Sequence, residues 1–298
     1  MGEWLKDKNA VVTGAGRGVG KEIALALAAE GVKVVLNDLG AAVNGTGNSK
    51  EPANEVVEEI KRRGGVAIAN FENVADFAAA ERIIKSCVEN FGSLDILVNV
   101  AGNLRDRMIW NMTEEEWDSV IAVHLKGTFN TCRHACVLMR EQKSGRIINT
   151  TSAGWLGVTG HANYVAAKGG IVSLTRAIAW EMARFGVTCN AFSPGAATRM
   201  TMTEDMKESM KKRLELGAIT QKTYDNFVKM PGPEGAAAIV LYLATDQATN
   251  INGEVFSCRT GKIARYSSPV EVKGIYKEGI WTLEELMELF PDTLGAGL

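Results

Sequence analysis

The sequence predicts an α/β fold: a single doubly wound parallel sheet of about seven strands, with helices on both faces. Three observations carry that prediction. Short apolar runs alternate with longer helical stretches along most of the 298 residues, and such alternation builds parallel β-α-β units with right-handed crossovers. The runs are apolar almost throughout, as expected of strands buried on both faces. A glycine-rich turn follows the first run directly, where a strand hands over to a helix.

In chain order, the first strand is read at residues 10–12, followed by an Ala- and Leu-rich helix over 21–30. A second strand covers 32–36. Residues 40–50 are polar and rich in Gly and Asn, so a surface loop is expected there. A helix over 55–63 places Val56, Val57 and Ile60 on one face. Strands then follow at 66–69, 96–98, 146–148 and 187–191, separated by helices over 78–91, 114–140 and 164–185. Residues 201–230 break the rhythm, being charged and methionine-rich. A segment there overhangs the carboxyl ends of the strands, where ligands bind in such sheets, and is expected to act as a lid. The alternative is a solvated pair of amphipathic helices. A helix over 235–244 and a seventh strand at 254–256 complete the sheet, and the tail reads as a short helix over 283–290 stopped by Pro291.

Composition excludes several classes. With 33 basic and 35 acidic residues the net charge is −2, which lacks the basic footprint of a nucleic-acid binder. No apolar run reaches the roughly 18 residues of a membrane span. The first residues show no signal-peptide core and the last no retention or lipidation motif, so a cytoplasmic protein is expected. Five scattered cysteines are odd in number and offer no second close pair for a zinc site. They read as buried, reduced thiols, and no metal centre is expected.

The glycine turn runs from Thr13 to Gly20, with Gly14, Gly18 and Gly20 in a GxxxGxG spacing that also contains Arg17 and Val19. Backbone N–H groups and the helix dipole at such a turn suit a pyrophosphate. Asp38 ends the second strand, 18 residues after Gly20. A carboxylate there accepts from both ribose hydroxyls of an adenosine and repels a 2′-phosphate. Arg17 pulls the other way, since a guanidinium suits phosphate. Asp38 carries more weight, and NAD is expected over NADP; the alternative is that Asp38 only caps a turn. Tyr164 and Lys168 lie four apart at the start of a helix, on one face. An ammonium at about 4 Å is worth about 4 kcal/mol at an effective dielectric of about 20. Such a neighbour is expected to draw a phenol from about 10 toward neutrality, less what desolvation restores. A tyrosine so tuned exchanges a proton with an alcohol or ketone oxygen.

Taken together, the glycine turn, the run Asn99-Val100-Ala101-Gly102, the Tyr164/Lys168 pair and Pro194-Gly195 resemble the short-chain dehydrogenase/reductase family over about residues 5–260. Segments 37–40, 104–107, 123–129 and 193–201 are similar to the 3-hydroxyacyl-CoA dehydrogenase domains of peroxisomal multifunctional enzymes of type 2 and their bacterial relatives. The resemblance implies a Rossmann sheet, a dinucleotide-binding catalytic domain over 1–260 and a C-terminal extension over 261–298. It implies that Tyr164 is the general acid/base, and that Lys168 holds the nicotinamide ribose and lowers the tyrosine's pKa. Asn99, Ala101 and Gly102 steady the sheet and line the cofactor. Asn73 and Val74 flank the adenine, while Pro194, Gly195 and Thr198 meet the nicotinamide end. The family's catalytic hydroxyl lies 13 residues before the tyrosine and is usually serine. Here that position is Thr151, with Ser152 beside it; Thr151 is favoured and Ser152 is the alternative.

His124 replaces the family's helix asparagine and is read as structural, with a proton-relay role as the alternative. Val100 stands where a second asparagine is common. His161 is expected near the pocket mouth. Trp155 is a wall residue or core packing. Lys211, Lys212 and Arg213 are a solvated face or a contact for coenzyme A phosphates. The implied function is an NAD-dependent interconversion of secondary alcohol and ketone, on a 3-hydroxyacyl-CoA or a related coenzyme A thioester. The alternatives are a hydroxysteroid dehydrogenase and a catalytically silent NAD-binding subunit. A homodimer or homotetramer is implied, through the helices over 114–140 and 164–185, with no nucleic-acid or membrane partner.

Overall fold

Apolar runs decide where the strands lie. In a computed structural model, residues 4–198 and 200–297 are described. Arg199, which belongs to one of the segments carrying the resemblance, lies outside the described residues. The first run gives β1 (Asn9–Thr13), buried at every position, and the glycine turn leads from it into α1 (Gly18–Ala29). Then come β2 (Lys33–Asn37), α2 (Glu51–Arg62), β3 (Ala67–Asn70), α3 (Phe77–Phe91) and β4 (Ile96–Asn99). The second half holds α4 (Glu114–Ile121), α5 (Gly127–Gln142), β5 (Gly145–Thr150), α6 (Ala162–Met182) and β6 (Val187–Pro194). It continues with α7 (Glu204–Glu215), α8 (Gln221–Val228), α9 (Ala237–Ala244), β7 (Val255–Arg259) and β8 (Lys262–Arg265).

The sheet order is β3-β2-β1-β4-β5-β6-β7-β8. Pairing is parallel from β3 to β7, and β8 adds an antiparallel edge. The strand order reverses between β1 and β4, which leaves a crevice at their carboxyl ends. Alternation along each strand feeds two cores. Val12, Val34, Leu36, Val98 and Ile148 pack on one face with Ile23 and Leu27 of α1, Val56 and Ile60 of α2, and Val240 and Leu243 of α9. Val11, Val35, Leu97 and Ile147 pack on the other with Ile83 and Ile84 of α3, Met139 of α5, and Ile178 and Met182 of α6. This is why the strand sequences show no polar alternation.

Three local readings change. The single helix expected over 114–140 is two helices joined by a π turn, Ala122–Lys126, with buried His124 inside it. An extra residue in the helical ladder rotates the faces before and after it, an effect that an apolar pattern does not report. The sheet gains β8, whose residues pair with β7 but are mostly exposed, so no apolar run marked them. The loop over 40–50 is not merely surface. Its Val43 carbonyl accepts from Leu104 N at 2.9 Å, and its Asn44 carbonyl accepts from Arg105 Nε at 2.7 Å. Chain contacts divide the protein into one unit ending at Arg265 and a second beginning at Tyr266. The second contains α10 (Leu283–Leu289), opened by a capping box in which Thr282 and Glu285 satisfy each other's backbone N–H groups. No helix among the described residues is long and apolar enough to cross a membrane.

Candidate active site

A cleft of about 460 Å³ opens at the carboxyl ends of β1, β2, β4, β5 and β6. At one end the glycine turn forms a cradle. Gly14 has φ +65°, and a Cβ on it would stand 2.8 Å from the Ala101 backbone. A Cβ on Gly20 would stand 2.1 Å from the Gly14 carbonyl oxygen. The backbone therefore closes on itself here as only glycine permits. The N-cap of α1 is Arg17, whose side chain caps nothing. The first N–H groups of the helix are accordingly left to a ligand. The Arg17 guanidinium reaches out to the Ala41 carbonyl at 3.3 Å. Asp38 is held on both oxygens: Oδ2 accepts from Gly16 N and Oδ1 from Gly40 N, each at 2.7 Å. Carboxylate oxygens have lone pairs to spare, so Asp38 is both a turn cap and an acceptor facing the cleft. Asn73 and Val74 line the same region, and Asn130 Nδ2 fixes the Val74 carbonyl at 2.8 Å.

The other end carries the candidate chemistry. Tyr164 and Ser152 both line the cleft, and the Ser152 hydroxyl accepts from Gly154 N at 3.1 Å. Thr151 faces elsewhere. Its side chain is buried, and its hydroxyl donates to the Lys168 backbone carbonyl at 2.9 Å. Although Thr151 borders the cleft, its proton is committed to α6, so the geometry favours Ser152 over the Thr151 expected from spacing. Lys168 Nζ is buried and donates to the Thr150 carbonyl at 2.7 Å, lying 5.6 Å from the centroid of the Tyr164 ring. Burial draws this ammonium down to about 7. Burial also pushes the Tyr164 phenol above its usual value; the Ser152 hydroxyl pulls it part of the way back, and the Asp106 charge adds to the rise. The expected lowering of the tyrosine by the lysine is thus not what the site does. Desolvation favours the neutral form of both groups and wins, because the ammonium is spent on a carbonyl instead of the phenol oxygen.

His124 packs its ring edge-on against Tyr164, with centroids 5.2 Å apart at 87°. A Cβ on Gly102 would meet this ring at 2.4 Å, so Gly102 makes room for it. Burial, with Lys168 nearby, holds His124 down at about 3. A ring kept neutral in this way is a poor proton carrier at pH 7, which fits the structural reading.

Most of the residues singled out in the sequence meet in this one cleft: Gly14, Arg17, Gly18, Val19, Gly20, Asp38, Asn73, Val74, Ala101, Gly102, Thr151, Ser152, His161, Tyr164, Lys168, Pro194 and Thr198. Asn99 and Gly195 do not line it. Asn99 lies beneath, donating to Asn149 Oδ1 at 2.9 Å and accepting from Thr131 Oγ1 at 2.7 Å. It steadies β4 against β5 from inside the fold. Trp155 is outside the wall, and Lys211, Lys212 and Arg213 are exposed on α7. Met206, Phe227 and Met230, from the methionine-rich segment, do border the cleft. Sequence reasoning missed Ala41, Ala42, Gly45, Asn103 and Asp106, which line it from segments without regular structure. It also missed Asn163, whose Nδ2 donates to the Arg105 and Glu116 carbonyls, each at 2.9 Å, and so ties the 103–107 segment to the helix carrying Tyr164. An Asn beside the tyrosine at the opening of a helix was the only signal for it.

The residues fit a nicotinamide dinucleotide. The glycine cradle leaves room for a ligand backbone at one end. At the other, Thr150 Oγ1 is buried in the wall, with no partner among the described residues.

Comparison with known proteins agrees with this geometry. A family profile described as short chain dehydrogenase matches residues 8–211. The chain is 42% identical over 258 residues to the peroxisomal hydratase-dehydrogenase-epimerase of Saccharomyces cerevisiae, covering 86% of this chain but only 26% of that protein. It therefore spans about a quarter of this relative's length. It is also 42% identical over 258 residues to the 3-oxoacyl-[acyl-carrier-protein] reductase FabG of Staphylococcus aureus, covering 85% of this chain and 97% of that one. A crystal structure of a short chain dehydrogenase from Mycobacterium avium superposes with a TM-score of 0.82 at 41% identity, covering 98% of this chain and 96% of that one.

Proposed function

The chain belongs to the short-chain dehydrogenase family, and we propose that within it this protein is an NAD-dependent oxidoreductase that interconverts a secondary alcohol and a ketone. A 3-hydroxyacyl-CoA, or a related acyl thioester, is the substrate class. The observation that carries the reaction is that Tyr164, Ser152 and Lys168 line one cleft with the glycine cradle. Asp38 supports NAD over NADP, because its carboxylate faces the cleft and a 2′-phosphate beside it is repelled. The name of one relative, a 3-oxoacyl-[acyl-carrier-protein] reductase, supports an acyl substrate with oxygen on the third carbon, and that of the other, a hydratase-dehydrogenase-epimerase, supports a dehydrogenation.

The cradle of Gly14, Gly18 and Gly20 would hold the pyrophosphate, Asp38 the adenosine ribose, and Lys168 with Thr150 the nicotinamide ribose. When bound, the dinucleotide supplies the hydride acceptor or donor at its nicotinamide ring. Ser152 would hold the substrate oxygen beside the Tyr164 phenol. In reduction Tyr164 gives its proton to the ketone oxygen; in oxidation it takes the proton of the alcohol. A phenol raised by burial is protonated at neutral pH, so it is a ready donor for reduction. Oxidation should accelerate as pH rises. The Lys168 ammonium, close to its midpoint near neutral pH, charges at little cost when an anionic oxygen develops beside it.

The methionine-rich pair α7 and α8 is read as a lid, supported by Met206, Phe227 and Met230 on the cleft wall. Exposed Phe129 and Val137 on α5 and Trp180 on α6 support a homodimer or homotetramer through these helices. Five free cysteines, four of them buried, suit a reducing compartment and support a cytoplasmic location.

The test is reduced-nicotinamide formation from 3-hydroxyacyl thioesters of coenzyme A and of acyl carrier protein, and from hydroxysteroids, with NAD and with NADP. Thioester turnover with NAD is expected. Turnover of steroids alone removes the substrate reading, and a preference for NADP removes the cofactor reading.

A further inference from the structure

The cleft holds one polar pair that the reaction above does not use. His161 Nδ1 lies 2.8 Å from Asp106 Oδ1, and both side chains line the cleft. An ionised carboxylate only accepts, so Nδ1 carries the proton of this bond, and Nε2 is the nitrogen left to a ligand.

The pair is fixed to the catalytic helix in two ways. His161 is the N-cap residue of α6 and Tyr164 is its third residue. Both residues line the cleft, three positions apart in the chain. Asp106 rides on a segment bolted to the same place: Asn163 Nδ2 holds the Arg105 carbonyl, and Arg107 N donates to the Gly160 carbonyl at 2.9 Å. Val158, Met206, Phe227 and Met230, which also line the cleft, are apolar. An apolar wall with one oriented polar group selects a ligand with an apolar arm and one polar atom at a set distance from the reacting carbon.

We propose that His161, held by Asp106, is a specificity-determining residue that binds a second polar group of the substrate while Tyr164 and Ser152 hold the reacting oxygen. In a 3-hydroxyacyl thioester that group is the thioester carbonyl. An imidazolium donates from both ring nitrogens, so Nε2–H meets that carbonyl while Nδ1–H stays on Asp106. This rests on the secondary-alcohol reading above and adds the 1,3 relation of two oxygens.

The experiment compares wild type, His161→Leu, His161→Gln and Asp106→Asn on two substrates. One is a 3-hydroxyacyl thioester, and the other is a secondary alcohol of matched length without a carbonyl. A hydrogen bond to a charged group sets the scale of the loss, so kcat/KM for the thioester should fall on the order of 10- to 100-fold further than for the plain alcohol in His161→Leu. The loss should sit mainly in KM. His161→Gln, which keeps a donor, should recover part of it, and Asp106→Asn should lose less. NAD affinity, read by fluorescence, should be unchanged in all four proteins. Equal losses on both substrates, or none on either, overturn the proposal. If wild type turns over no thioester, the substrate reading fails separately. His161 is then judged on pairs of the alcohols that are oxidised, with and without a second oxygen, and the same differential loss decides.

Discussion

Ser152→Ala and Thr151→Val separate two hydroxyls that stand side by side after β5. Ser152 lines the cleft with Tyr164 and accepts from Gly154 N. Removing it would withdraw the donor proposed to steady the substrate oxygen. Loss of one such preorganised donor costs about 3–4 kcal/mol in the transition state, or about 10²–10³ in kcat. The fold should lose only about 1 kcal/mol, for the stranded Gly154 N–H. Thr151 donates to the Lys168 carbonyl inside the fold, so Thr151→Val should cost about 0.5–1.5 kcal/mol of stability and leave kcat within about twofold. Steady-state rates of thioester oxidation give the first pair of numbers, and urea unfolding the second. The reasoning is refuted if the valine variant loses the hundredfold and the alanine variant works.

Three further outcomes follow from the same geometry. Asp38→Ala should lower the ratio of NAD to NADP kcat/KM by at least about tenfold, since the repulsion of a 2′-phosphate ends; an unchanged ratio would remove Asp38 from cofactor choice. Gly20→Ala forces a Cβ to within 2.1 Å of the Gly14 carbonyl oxygen. Backbone stands on both sides, so a loss of about 1–3 kcal/mol and of NAD affinity should follow, measured by thermal unfolding and by titration of the dinucleotide. Lys168→Met should abolish turnover yet change stability in a pH-dependent way. The folded ammonium titrates at about 7 against a reference value of 10.5. Between those values the unfolded chain holds the extra proton, so wild-type stability should rise as pH goes from 7 to 10.5. Below pH 7 the burial cost is complete, on the order of 5 kcal/mol, offset in the variant by the stranded Thr150 carbonyl. Methionine should therefore help most at pH 6 and least at pH 10; a constant effect across that range contradicts a buried charge.

Much of this was legible in the sequence because one physical cause governed it. Strands such as β1 and β5, buried on both faces, declare themselves as unbroken apolar runs. The GxxxGxG turn declares itself because no other residue tolerates that backbone. What stayed hidden lacked such a cause. The β8 residues are mostly exposed and so carry no apolar run. The π turn around His124 changes the helical phase without changing composition. Asp106 and Asn103 reach the cleft from a stretch whose course is set by Asn163 and the 42–46 loop, both distant in sequence. Thr151 and Ser152 differ in which way each hydroxyl points as β5 ends, Thr151 donating to the Lys168 carbonyl. A count of 13 residues before the tyrosine does not carry that information. The tyrosine's pKa was misjudged because Coulomb attraction was weighed without knowing that Lys168 is buried and bound to a carbonyl.

The central claim is that Tyr164 moves the proton while the rest of the site binds the dinucleotide. Reduced-nicotinamide formation by wild type and Tyr164→Phe, with NAD affinity measured on both, tests it most directly. The account predicts equal affinity and a fall in kcat of about 10²–10⁴ for the phenylalanine variant. Turnover retained at the wild-type rate would contradict it, and so would an affinity lost along with the hydroxyl.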